Sequence, residues 1–380
     1  MISWMKRYFA GEDINTGRQL NVDYAKGLAI CSMILIHIMI YPVYKNLDSG
    51  IGYVIGYIFG GFLAAPVFMT SMGFSLVYTQ NRDPKAIIVR GLKILLMAYV
   101  LNVVRSIYFF IHTLVSGENV VEDLLYYFLN GDILLFAGLA LILFGALKLI
   151  KKHSDLIILI VGIVLLIVST VFMIRTNENF ALALTLGILI PVDYFGEPMV
   201  CFQLCSWFFF VSAGNILGIM VRKSKNLDRF YTVCGISGVL IAALFLVLDY
   251  LCGWEQYFGA IALRDPEYYV GIVYALIAFG LVLAEFALFH FICKFTSEKF
   301  NKIVTTFSSA LNETYIISWI IILNITYPLI LLFAGEEPDL WVYLVGFLFT
   351  FPLSVYLGLL WKNLKIRRKK SRKAENGSAA

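Results

Sequence analysis

The sequence predicts an all-α, polytopic membrane protein of about ten transmembrane helices, with N- and C-termini in the cytoplasm. Three observations lead to this expectation. Apolar residues make up 60% of the 380 positions and charged residues only 14%, with a mean hydropathy of +0.83, so there is more apolar surface than one soluble core can bury. Apolar runs of about 20 residues, the length that crosses the hydrocarbon, recur along the whole chain. The connections between them alternate in charge, as the accumulation of Lys and Arg in cytoplasmic loops requires.

Residues 1–22 precede the first span. Their opening "MISWMKRYFAGED" lacks a continuous apolar core and a small-residue cleavage site, so no removable signal peptide is expected. Trp4, Met5, Tyr8 and Phe9 around Lys6 and Arg7 read as a short helix lying in the interface. The spans follow at 25–44, 52–79, 86–114, 124–147, 155–174, 199–221, 230–252, 268–293, 307–333 and 339–361. The run 180–192 is apolar but short and ends at Pro191, which suits a re-entrant or interfacial piece. With no internal repeat and no polar connection long enough for a soluble domain, 23–361 forms one membrane domain. The basic tail 362–380 reads as an orientation signal touching anionic lipid, ahead of any nucleic-acid role.

Loops after even-numbered spans are basic: "NRDPK", "KLIKKH", "RKSKNLDR", "KFTSEKFNK" and the tail "KNLKIRRKKSRK". Loops after odd-numbered spans, "SGENVVED", "LRDPEYY" and "GEEPD" among them, are acidic or nearly neutral. This alternation favours an even number of spans and a multi-pass protein of the cell membrane. The six cysteines lie in or beside apolar runs without metal-site or disulfide spacing, and read as packing residues. No metal is expected.

The first span carries Asp23, Lys26 and His37 in "DYAKGLAICSMILIHIM". Lys26 and His37 are eleven residues apart, almost three helical turns, so they share a face with His37 about 16 Å deeper, in the outer half. Asp23 can pair with Lys26 one turn on. Arg105 in the third span and Asp132 in the fourth fall at nearly the depth of His37. An imidazole that takes a proton, a carboxylate that orients it and a guanidinium that steadies an oxyanion would form a catalytic set. A structural Arg105–Asp132 ion pair with His37 as an interhelical bonder is the other reading. Depth follows from the spacing; lateral proximity does not.

The stretch "RQLNVDYAKGLAICSMILIH" resembles the opening of the membrane acyltransferase-3 family and its relatives in the transmembrane acyltransferase superfamily, which includes heparan-alpha-glucosaminide N-acetyltransferase-like proteins. The shared pattern is an acid, a basic residue followed by Gly, and a His eleven residues after the basic residue: here Asp23, Lys26, Gly27 and His37. "APVFMTSMGFSLVY", "RGLKILLMAYVL", "NGDILLFAGLAL", "CSWFFFVSAGNILG" and "SALNETYIISWIIIL" resemble later spans. The chain lacks the tryptophan-serine-leucine-x-x-glutamate tag of many acyltransferase-3 proteins and has Ser318 where related chains often carry a histidine, which leaves branch and acceptor open.

The resemblance implies an acyltransferase that takes an acyl group, acetyl first, from cytoplasmic acyl-CoA to a hydroxyl or amine of an extracytoplasmic glycan or other small acceptor, with His37 carrying the chemistry. Acetyl-CoA would be the co-substrate, the bilayer the environment, and an oligomer is left open. Polyanionic coenzyme A needs a cationic mouth, which Lys26, Arg82, Lys85, Arg90 and Lys93 offer, although the positive-inside rule already explains such residues. Gly60, Gly61, Ala64, Ala65, Pro66 and Gly73 make the second span either a breakable passage or a tightly packed helix. For Glu285, Asn312, Glu313 and Ser318, interhelical bonding is the expectation. A ten-span secondary transporter or lipid flippase is the alternative function, and an inactive scaffold a third. Neither alternative accounts for the Lys26-to-His37 spacing.

Overall fold

The computed structural model describes residues 7–40, 50, 52, 55–117, 120–172, 174–176, 179–195, 197–198, 200–252, 270–335 and 338–377. Among them nine helices are long and apolar enough to cross a membrane, and a bent pair makes a tenth span, in agreement with the expected helical, ten-span membrane protein. Trp4, Met5 and Lys6 of the expected interfacial helix, and the acidic loop "LRDPEYY", lie outside the described residues.

The first span is α1 (Leu20–Ile40). The second is a π-helical stretch, Ile55–Phe62, followed by α2 (Ala65–Tyr78). The third comprises α3 (Pro84–Arg105) and the short α4 (Ile107–Ser116), and the fourth is the bent pair α5 (Val120–Leu129) and α6 (Ile133–Lys148). Then come α7 (Ser154–Val171), the short α8 (Phe180–Gly187), α9 (Leu204–Lys223), α10 (Leu227–Cys252) and α11 (Ile272–Ile292). The amphipathic α12 (Glu298–Ser308) precedes the ninth span, which is α13 (Leu311–Ile321), a π-helical turn and α14 (Tyr327–Ala334). The last helix, α15 (Leu340–Gly377), carries the basic tail as an uninterrupted extension of the tenth span.

Start signals are local. Asp83 caps α3 by accepting from the Ala86 amide at 3.0 Å, with Pro84 at the first helical position. The expected re-entrant run 180–192 is α8 plus the first residue of a strand in a small sheet that the hydropathy pattern did not reveal. In that sheet β1 (Ile174–Thr176) pairs parallel with β2 (Val192–Tyr194), and β2 antiparallel with β3 (Glu197–Pro198). Its strands of two and three residues are too short to leave a periodic signal.

α9, the second span and α1 are the most enclosed, whereas α10 turns Val233, Ile236, Val239, Leu240 and Leu244 outward, as a lipid-facing helix should. α2 and α9 touch backbone to backbone. A Cβ at Gly73 would lie 1.9 Å from the Val211 carbonyl oxygen, and one at Gly214 2.1 Å from that of Thr70. The small residues of the second span therefore serve both expectations: Gly73 packs tightly, while Gly60, Gly61, Ala64 and Ala65 line a cavity.

Of the expected interfacial helix Arg7 and Tyr8 are helical, and from Phe9 onward the N-terminal segment is an extended strap. Phe9 bridges Ser224, the Ala10 amide donates to the Lys223 carbonyl at 2.8 Å, and the Asn15 side chain donates to the carbonyls of Val221 and Ser224. Asp13 pairs with Arg222 at 2.8 Å. The C-terminal end of α9 and the start of its connection to α10 supply these partners, since a helix end is left with unsatisfied terminal carbonyls. Lys148–Asp155, Lys294–Asp228 and Lys365–Glu313 ion pairs lie at the same end, so the strap and the emerging α15 share one basic end of the bundle.

This arrangement yields a topology test. Ser224 is buried under the strap, so exposed Lys151 is the better reporter for the basic end and exposed Glu122 for the other. In a cysteine-free background, Lys151→Cys is expected to react with an impermeant thiol reagent only from the cytoplasm and Glu122→Cys only from outside. The reverse pattern would invert the orientation.

Candidate active site

The site is built where helices break. The fourth span, expected to run continuously through 124–147, instead bends by 51° between α5 and α6. At the break Gly131 passes so close to Val200 that a Cβ would lie 2.3 Å from its Cγ1. Asp132 is therefore not eight residues into a helix but is the N-cap of α6, its Oδ1 accepting from the Ile133 amide at 2.5 Å. The carbonyls of Phe128 and Asn130, freed by the break, both accept from the Asn102 side-chain amide at 3.0 Å.

A second break follows Arg105, at Ser106, where the expected span 86–114 divides into α3 and α4. The Asn324 side chain repairs it: Nδ2 donates to the carbonyls of Val104 at 3.1 Å and Arg105 at 3.0 Å, and Oδ1 accepts from the Tyr108 amide at 3.0 Å. In hydrocarbon each unmet peptide group costs several kcal/mol, so these two asparagines are what permit the breaks.

The breaks bring Arg105 and Asp132 together. Arg105 Nη1 donates to Asp132 Oδ2 at 2.5 Å, with only 5% and 7% of the two residues exposed. Trp319 of α13 contacts both the guanidinium and the imidazole: the Arg105 Cζ sits 4.5 Å from its ring centroid and the His37 ring centroid 4.1 Å away, tilted by 34°. His37, Arg105 and Asp132 line one cavity of about 130 Å³ with Tyr126, Trp207 and Trp319. Lateral proximity, which spacing alone left open, is thus present.

One expected contact is not. Both Asp132 oxygens are engaged by Arg105 and the Ile133 amide, and His37 Nδ1 is buried without a hydrogen-bond partner among the described residues. The carboxylate therefore holds Arg105 rather than the imidazole, and the face of Trp319 sets the plane of His37.

A second cavity, about 230 Å³, opens toward the basic end and is lined by Lys26, Ser75, Arg90, Ser308, Ser309, Asn312 and Tyr315. Lys26 Nζ donates to Ser75 Oγ at 2.8 Å. The expected Asp23–Lys26 pair is replaced, because Asp23 accepts from Arg18 Nε at 2.5 Å and from Ser308 Oγ at 2.6 Å. Of the five cations expected at a cytoplasmic mouth, Lys26 and Arg90 line this cavity. Arg82, Lys85 and Lys93 are exposed outside its lining, with Arg82 Nε donating to the Thr79 carbonyl at 3.3 Å.

Among the other intramembrane polar groups, Glu313 pairs with Lys365 at 3.0 Å and Ser318 donates within its own helix to Tyr315 O at 2.8 Å. Glu285, expected to bond across helices, is buried with neither carboxyl oxygen partnered among the described residues. Among those residues no cluster of His, Cys, Asp and Glu is arranged to hold a metal ion. Sequence reasoning missed Trp319, Asn102 and Asn324. The two asparagines carried a signal, an amide inside an apolar run. An aromatic among many aromatics gave none.

Comparison with known proteins places this geometry. The chain matches the acyltransferase-3 family model, described as an acyltransferase domain, over residues 19–359. That range contains every residue of both cavities. No curated protein and no solved structure matches. Since the family match spans nearly the whole chain, the protein belongs to the acyltransferase-3 family of integral membrane acyltransferases.

Proposed function

We propose that the protein transfers an acyl group, acetyl first, from acyl-CoA bound at the basic, cytoplasmic end to a hydroxyl or amine of an extracytoplasmic glycan or related acceptor. One observation carries this reading: Lys26 and His37, on one face of α1, line two different cavities, the first cationic and the second holding His37 with Arg105 and Asp132. A polyanionic donor fits the first. The second collects a proton acceptor and a buried cation in a site of low polarity, where electrostatic stabilisation of developing charge is strongest.

In this mechanism the acceptor oxygen or nitrogen forms a bond to the acyl carbon and gives its proton to His37. The carbon–sulfur bond breaks, and coenzyme A leaves as the thiol by taking up that proton. Arg105 has five N–H donors, of which the bond to Asp132 uses one, and the others can face the oxyanion that forms on the acyl group. Asp132, fixed as a helix cap, keeps the guanidinium in place. The Lys26 ammonium and the Arg90 guanidinium meet the coenzyme's phosphates.

Two sets of variants test this. His37→Ala should lower turnover by about 10²- to 10⁴-fold, the usual loss for a general base, with acyl-CoA affinity nearly unchanged. Lys26→Ala should chiefly weaken that affinity, and Lys26→Arg should largely restore it. A His37→Ala protein with near-parental turnover would refute the reading and return weight to a transporter, which should neither hydrolyse labelled acetyl-CoA nor acquire its label. Arg105→Ala or Asp132→Ala should reduce activity and also stability by about 3–5 kcal/mol, because each strands a buried charge. Glu285→Gln and Ser318→Ala should leave activity near the parent level. Equal tolerance at all four positions would make the ion pair merely structural.

A further inference from the structure

The two cavities have two lining residues in common among the described residues, Phe68 and Ile133. Both sit in the first turn after a break. Phe68 lies three residues into α2, its amide donating to the Ala64 carbonyl at 3.0 Å, and Ile133 is the first residue of α6, its amide held by Asp132. Their neighbours Val67, Met69 and Leu134 are buried, whereas Phe68 and Ile133 are only half-buried. That exposure inside a packed bundle is what the cavities provide on either side of them.

We infer that Phe68 and Ile133 form an apolar partition between the cationic chamber and the His37 chamber, and that it selects the length of the transferred acyl chain. This rests on the proposed function. If the coenzyme's phosphates stay near Lys26 and Arg90 while its thioester reaches His37, the acyl end passes between these two side chains. A short acyl group leads the narrow pantetheine arm through, and a longer one must displace the phenyl ring or fill the 130 Å³ chamber that the acceptor also needs. The partition is made of side chains at helix starts, where a rotamer change moves a ring without breaking a backbone hydrogen bond. Closed, it keeps water on the far side from the donor's thioester.

Discrimination of one methylene by an apolar site is worth about 10- to 200-fold. With the purified full-length protein, Phe68→Ala and Ile133→Ala should therefore raise the ratio of butyryl- to acetyl-transfer by about tenfold or more, and Phe68→Trp should lower it. Phe68→Leu, which disturbs packing least, should shift the ratio in the same direction as alanine. Ratios equal to the parent's in folded variants would overturn the inference while leaving the acyltransferase reading intact. A parent protein that transfers no acyl group would instead overturn that reading.

A second measurement does not depend on turnover. Cys201 lines the His37 chamber. With the other five cysteines replaced, an impermeant thiol reagent applied from the basic end should leave Cys201 unlabelled in the parent and label it in Phe68→Ala. Equal labelling of the two, at any level, would show that these side chains do not separate the chambers.

Discussion

A helix can be interrupted inside a bilayer only where each freed peptide group finds a partner within the protein, and this site depends on that requirement. Asn102 closes the break ahead of Asp132, and Asn324 closes the break behind Arg105. Without the first, Asp132 would be one more residue on a continuous helix, its carboxylate not needed as a cap. Without the second, α3 would run straight past the point where its last residue turns inward. The ion pair is thus a consequence of two backbone repairs made by residues that do no chemistry themselves.

The same logic explains why an ion pair so deep in the protein is tolerable. Separating charges from water costs several kcal/mol per ion, and the attraction between them offsets this only with good geometry and further bonds. Here the carboxylate also accepts from the Ile133 amide, and the guanidinium lies on the Trp319 ring. Trp319 then does two things with one ring, because it also contacts His37. Imidazole and guanidinium are held at fixed relative positions without a hydrogen bond between them, which leaves both free to meet a substrate.

Much of this was legible in the sequence. Hydropathy and loop charge determine the number of spans because the hydrocarbon thickness sets a ruler that no helix escapes. The Lys26-to-His37 spacing places two polar groups at two depths of one face because helical rise is constant. What could not be read was everything decided between helices. A hydropathy window of about 20 residues averages over Asn130, Gly131 and Asp132 and so hides the bend, although Asn-Gly is a local turn signal, and Gly131 is also required by contact with Val200. Asp23 chose Arg18 and Ser308 over Lys26 because a chain segment before the helix and one 285 residues later in sequence fold back on it. Arg82, Lys85 and Lys93 satisfy the charge rule for orientation, which asks nothing about where a side chain points.

The central claim is that the acyl end of the donor reaches the chamber formed by His37, Arg105 and Trp319 while the phosphates remain at the opposite, basic end. A photoreactive acyl-CoA with the diazirine at the acyl terminus, crosslinked to the full-length protein and mapped by mass spectrometry, tests it most directly. The account predicts adducts on the peptides carrying His37, Trp207 and Trp319, competed away by unlabelled acyl-CoA. Adducts confined to the loops around Lys151 and Lys299, with none in those spans, would contradict it.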